Sequence, residues 1–346
     1  MSNTSNYTVH LARPVITSYP DIANLLALSG DYTGTDYEPY YMDWFIAQYI
    51  NYYIILPWDD EKVARGYNIL FDDPFHANRI FESKILQMHH HHMYDIKEDF
   101  SAFVLANLQN GYAVHSWLTR KYLVKGDGTF RHEGLIYAYN PQTDNFLVND
   151  FFDMGIYQSK EVPRQNLDAA FFSSRDLYYS DRLSYRDTHV FAARSYRAGE
   201  MEFYPLFQYD KYRMSYLLSD YIRGARYDDR VCGSLCYDEM LSRINSVPLS
   251  QFDMRALHLL YDHKVALTTS IRHLAMTGRI QDGDMLLQDA EKLAILTLSS
   301  RNLCLKYFVQ QANESTYKEK LCKNLIEIRD FERRLLLSLQ KQVEKN

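Results

Sequence analysis

The sequence predicts an α+β protein, with helices and then an antiparallel sheet in the first two hundred residues and a helical bundle after them. Three observations carry this reading. Helical periodicity comes first along the chain, short strands separated by turn residues follow it, and beyond Gly199 long apolar stripes recur at helical spacing.

The segment Pro20 to Gly30, PDIANLLALSG, predicts a short helix: Ser18 or a neighbour caps it, Pro20 occupies the first turn and Gly30 ends it. A second helix is expected over Tyr41 to Tyr53. A third, EDFSAFVLANLQN from Glu98 to Asn110, closes at Gly111. Strands are expected at Tyr112 to Val124, Gly134 to Tyr139, Asn145 to Asp150 and near Thr188 to Ala192. Between the middle two, Asn140-Pro-Gln-Thr-Asp-Asn145 is rich in turn formers, so those strands form a hairpin.

Helices are then expected over Gln208 to Gly224, Gln251 to Thr277, Asp284 to Gln311 and Ser315 to Val343. Leu257, Leu260, Leu267, Ile271 and Leu274 form one apolar stripe; Leu321, Leu325, Ile328, Leu335 and Leu339 form another. Lys264 and Glu332 interrupt these stripes where apolar residues belong; buried charges are costly unless paired, so mutual pairing or snorkelling to solvent is the favoured reading over a ligand site. The connectors Gly278 to Gly283 and Ala312 to Glu314 are short, so the helices they join should pack antiparallel. The expected domains are 1–200, α+β, and 201–346, helical. The stripes serve either to complete a monomer or to pair two chains as a homodimer.

With 47% apolar and 24% charged residues over 346 positions, the composition is that of a soluble globular chain. The net charge of −6 comes without a basic stripe, which excludes nucleic acid as a main partner. No run approaches the roughly 20 apolar residues of a membrane span, and MSNTSNYTVHLARP lacks signal-peptide design, so a cytoplasmic protein that does not enter a membrane is expected. Cys232, Cys236, Cys304 and Cys322 are too irregular for a disulfide framework or a zinc site, and read as inert thiols. Thirty tyrosines are unusual. The run from Tyr32 to Trp58 reads as a cleft wall or partner surface, or, in the favoured reading, as ordinary core packing.

The chemistry concentrates in FRHEGLIYAYNPQTDNFLVNDFFDMG, Phe130 to Gly155, where the hairpin sets His132 and Asp150 near the same ends of adjacent strands. An imidazole oriented by a carboxylate can deprotonate a nucleophile, as in papain-type peptidases and in acyltransferases built on that fold. The alternative is a solvated pair. On that plan the nucleophile stands at the start of the first long helix, where the helix dipole and free amides favour an anion. No cysteine occurs there; the small hydroxyls are Thr17 and Ser18, for which helix capping is the competing role. The tract His89 to His92 invites a metal, but consecutive side chains diverge, so no metal and no cofactor is expected. His76 and His115 are further cleft candidates, each read as structural.

The order of parts resembles the butirosin biosynthesis protein H-like group, papain-like proteins of nonribosomal peptide and polyketide pathways. The resemblance is carried by Asn24-Leu-Leu26 with Gly30, by RHEGLIYAYNPQTDNFLVNDF around His132 and Asp150, and by LLYDHK and RNLCLKY in the helical part. It implies a papain-like sheet followed by a helical bundle, and acyl transfer from a carrier-protein thioester to a small-molecule amine or peptide. In that setting His132 is the base, Asp150 orients it, and Tyr37, Tyr40, Tyr41, Trp44 and Tyr139 help wall the cleft. The family cysteine would fall near Thr17 or Ser18. Its absence leaves a hydroxyl nucleophile, direct attack by an amine, or lost catalysis; a noncatalytic binding protein of the same pathway and a peptide hydrolase are the alternative functions.

Overall fold

The computed structural model describes residues 7–30, 35, 38–58, 69–72, 85–125, 128–152, 156–181, 189–197, 200, 209–310 and 313–345. In chain order its elements are α1 (Pro20–Ser29), α2 (Glu38–Tyr49), β1 (Asn51–Ile55), β2 (Ile69–Asp72), β3 (Leu86–His92), α3 (Phe100–Gln109), β4 (Ala113–Thr119), β5 (Arg131–Asn140), β6 (Asn145–Phe152), β7 (Ile156–Pro163), α4 (Arg164–Asp181) and β8 (His189–Ser195). There follow α5 (Lys211–Arg223), β9 (Ala225–Arg226), β10 (Arg230–Cys232), α6 (Cys236–Ser246), α7 (Met254–Met276), α8 (Gly283–Gln310) and α9 (Glu314–Lys345). The α+β class is as the sequence predicts.

The chain divides into two compact units, Met1–Asp36 with Arg79–Phe203, and Tyr37–Asn78 with Tyr204–Asn346. The sequence placed everything up to residue 200 in one domain; the aromatic segment Tyr37–Asn78 instead groups with the helical part. The reason is local. The helix expected over Tyr41 to Tyr53 ends at Tyr49, and Asn51 begins strand β1, which pairs with β2 on one side and β10 on the other. Those β-branched and aromatic residues suit a strand as well as a helix, and the pairing decides.

The first unit is built on a six-stranded antiparallel sheet in the order β3-β8-β4-β5-β6-β7. One face packs under α3 and α4, where Val114, Leu118, Ile136, Val148 and Phe152 share a core with Phe100 and Phe171, whose rings stack at 3.8 Å. Helix α1 covers the opposite face, since its partners there are the alternate residues. Tyr157 Oη donates to Asn24 Oδ1 (2.6 Å), and Ser195 Oγ donates to the Leu28 carbonyl (2.7 Å).

The hairpin β5–β6 turns at residues 141–144, where Asp144 takes a φ of 54° and Asn140 Oδ1 accepts from the Gln142 amide. A bulge between Ile136 and Ala138 leaves the Tyr137 carbonyl to accept from Val9 N at 2.8 Å. Two strands of this sheet, β3 and β7, were not predicted from the sequence. β7 is a polar edge, with Lys160 and Glu161 in place of an apolar alternation, and β3 is the histidine tract itself.

The second unit combines a small sheet, β2-β1-β10-β9, with α2 and α5 to α9. Every stripe residue named above in α7 and α9 is buried. Successive helices α7, α8 and α9 pack on one another, as their short connectors require. Among the described residues no helix is long and apolar enough to cross a membrane.

Gly134 sits in β5 where a Cβ would lie 2.9 Å from Leu118 Cδ1 and 3.2 Å from Val148 Cγ1. Gly134→Ala should therefore overpack the sheet and lower stability by about 1–3 kcal/mol, read as a lower urea midpoint with unchanged slope.

Candidate functional site

The last paired rung of the hairpin before its open end is Leu135 with Asn149, so the ladder carries His132 and Asp150 to that end, side chains alternating with Leu135 and Asn149. The alternation assigns both to the face that Ile136 and Val148 share with α3 and α4. His132 Nδ1 meets Asp150 Oδ1 directly. The sequence spacing brought these two together correctly.

The surroundings of Asp150 show a partner that the sequence reading missed. The carboxylate has no exposed surface, its Oδ1 also accepts from the Phe151 amide at 2.6 Å, and its Oδ2 accepts from Arg120 Nη1 at 2.7 Å. Arg120 follows β4 directly, in a 3₁₀ turn over Arg120–Tyr122, and its amide donates to the Phe130 carbonyl at 3.1 Å. Its guanidinium lies 5.2 Å from the Phe152 ring and 5.9 Å from the Phe130 ring. A signal was present: Val114, Ser116 and Leu118 point to the core, and the same period of two carries on to Arg120. Reading the strand through to Val124 hid it.

A carboxylate on Nδ1 fixes the neutral imidazole as the Nδ1–H tautomer and leaves the lone pair on Nε2. Nε2 has no hydrogen-bond partner among the described residues, and the side chain is 27% exposed. The Phe151 and Phe130 rings stand edge-on to the imidazole at 5.9 and 6.4 Å. The arrangement is a base with an oriented ring, an accessible nitrogen and apolar flanks.

Helix α1 runs from the Tyr157 end of the sheet, beside the terminus of β6, to the far end at Ser195, so its amino end lies at the same sheet end as His132. Thr17 and Ser18 precede it and are half-buried. Ser18 is not the helix cap: Tyr19 is the N-cap residue, without a side-chain cap bond, and Pro20 stands at the first position, where a missing amide needs no acceptor.

The residues named for a cleft wall are divided between the two units. Tyr37 lies outside the described residues. Tyr40, Tyr41 and Trp44 lie on α2 in the second unit, where Tyr41 and Trp44 are buried and stack at 5.9 Å within that unit's own aromatic core. Tyr139 is at the turn end of the hairpin, opposite to His132. There it donates to Asp144 Oδ1 at 2.7 Å and packs on Phe146. Composition could not separate an aromatic core from an aromatic cleft.

The histidine tract is strand β3, and its side chains alternate: His89 and His91 pack on Tyr112 and Phe103, His90 on Phe191, and His92 Nδ1 accepts from the Tyr94 amide. Burial lowers the pKa of His91. Among the described residues no three histidine, cysteine or acidic side chains converge as metal ligands. His115 is buried in β4 against Phe191, and His76 lies outside the described residues. All four cysteines fall in the second unit, so the first contains no thiol. Cys236 is buried with Sγ on the Val231 carbonyl, and burial pushes its thiol up; burial likewise raises Cys304, to about 12.

Comparison with known protein families and with curated proteins returned no match.

Removing one partner from a buried ion pair leaves an uncompensated charge. Arg120→Met should destabilise the first unit by about 3–5 kcal/mol, measured by urea unfolding, whereas Asp144→Ala at the exposed turn should change stability far less.

Proposed function

We propose that the protein forms amide bonds by acyl transfer from a carrier-bound thioester to an amine. The observation that supports this most is the His132–Asp150 pair with Nε2 unpartnered and accessible beside two aromatic rings. The papain-like plan and the resemblance described above supply the donor: a thioester on an acyl or peptidyl carrier protein, in specialised metabolism. The absence of any cysteine from the first unit favours direct attack over a covalent acyl-enzyme.

The amine adds to the thioester carbonyl, and His132 Nε2 takes its proton as the nitrogen becomes cationic. The carrier thiol leaves as the tetrahedral adduct collapses, and the proton held on the imidazolium neutralises the thiolate. Asp150, itself held by Arg120, keeps Nδ1–H pointing inward through the cycle, so the ring neither flips nor changes tautomer.

The missing thiol equally suits a second reading, in which the site binds a pathway intermediate without turning it over. The two differ in product. Incubation with carrier thioesters and a panel of amines, followed by mass spectrometry of protein and small molecules, should give a new amide and no acylated protein. His132→Ala should slow its formation by about 10²–10⁴-fold, and the double variant Thr17→Ala, Ser18→Ala should retain turnover. Tight carrier binding with no amide from any donor would support the noncatalytic reading instead.

A further inference from the structure

The second unit encloses a set of ionisable side chains that the acyl-transfer chemistry does not use. Lys264 on α7 and Glu332 on α9 are 0% and 1% exposed, and Nζ lies 2.5 Å from Oε1. The ammonium also donates to His263 Nδ1 at 2.8 Å and sits 5.8 and 5.6 Å from the ring centroids of Tyr52 and Tyr237. His263 donates Nε2–H to the Ile50 carbonyl at 2.6 Å, so with an acceptor at Nδ1 it is neutral. Glu332 Oε2 accepts from Tyr237 Oη at 2.7 Å and from Tyr221 Oη at 3.0 Å. Cation and anion are thus satisfied by groups from β1 and the residue before it, α5, α6, α7 and α9.

We propose that this cluster is a latch that fixes the register of α9 and makes its docking all-or-none. The apolar stripe of α9 repeats every three or four residues over a helix of 32, so sliding it by a turn would still bury leucine against leucine. Glu332 admits no such slip. One turn away, the Lys264 ammonium and the Tyr221 and Tyr237 hydroxyls would lose their acceptor inside an apolar interior, and the carboxylate would lose its donors. A single polar position that specifies register within an apolar seam works by this physics in paired helices.

The titration of the cluster gives the latch a sign. Burial alone would raise Glu332, but the Lys264 ammonium beside it holds it down to about 2. A carboxyl depressed in the folded state contributes stability that is present above its ordinary range and lost as pH falls toward the depressed value. Burial pulls Lys264 the other way, below the usual lysine range, against the raising influence of Glu332. Burial and the Glu332 anion push the Tyr221 and Tyr237 phenols up, and burial with Cys236 and Glu332 does so for Tyr52. Cys236, the remaining titratable group of the cluster, is raised by burial and stays a neutral thiol. The second unit of the full-length protein should lose stability between pH ~4.5 and ~2, and Glu332→Gln should flatten that dependence.

The test uses three variants of the full chain, with hydrogen exchange read on peptides from α7 and α9. Glu332→Gln and Lys264→Met should each lower the unfolding midpoint by about 6–20 °C. The double variant Lys264→Met, Glu332→Gln removes both charges, keeps an acceptor for the tyrosines, and should regain most of that loss while α9 amides stay less protected than in the natural chain. Single variants that melt with the natural protein, or a double variant whose α9 is fully protected, would overturn the latch.

Discussion

Everything at the open end of the sheet is organised by one constraint: the Asp150 carboxylate has no exposed surface and must be satisfied from within. Its oxygens take a guanidinium, a backbone amide and an imidazole. Meeting that demand ties the turn after β4 to the end of β6, since Arg120 contributes both its side chain to Asp150 and its amide to Phe130. It also orients His132, whose ring cannot turn without breaking the bond at Nδ1. The orientation of His132 thus follows from satisfying a buried carboxylate with protein groups.

The same constraint recurs at Glu332 and is resolved differently. There the anion meets an ammonium and two phenols, the ammonium meets an imidazole, and the imidazole meets a carbonyl, so every member of the set is engaged. At Asp150 the chain of partners among the described residues stops at His132, whose second nitrogen has no hydrogen bond to them. A closed polar network rigidifies a core, while one that ends in an accessible lone pair can act on a substrate.

The hairpin was legible because its signals are local. Turn formers at 140–145 and apolar alternation on both sides fix register, and register brings His132 to Asp150. The bundle helices were legible for the same reason, their stripes repeating within each segment, while the charged interruptions at 264 and 332 left pairing or snorkelling to solvent open and the structure pairs them. Edge strands such as β7 lack that periodicity because one side meets no neighbour. The tract His89–His92 gave no alternation at all, since one residue type faces both sides.

The sequence by itself determined the α+β class, the hairpin with its histidine and aspartate, and the interruption of two apolar stripes by Lys264 and Glu332, because each follows from spacing within a few turns of chain. Only the tertiary structure decided that Arg120 completes the Asp150 site, that the aromatic residues from Tyr41 to Tyr52 are buried in the second unit, and that Tyr139 lies at the far end of its strand. Those outcomes depend on which surfaces meet across long separations. Burial free energy rewards any apolar partner alike, and pattern alone does not name the one that is chosen.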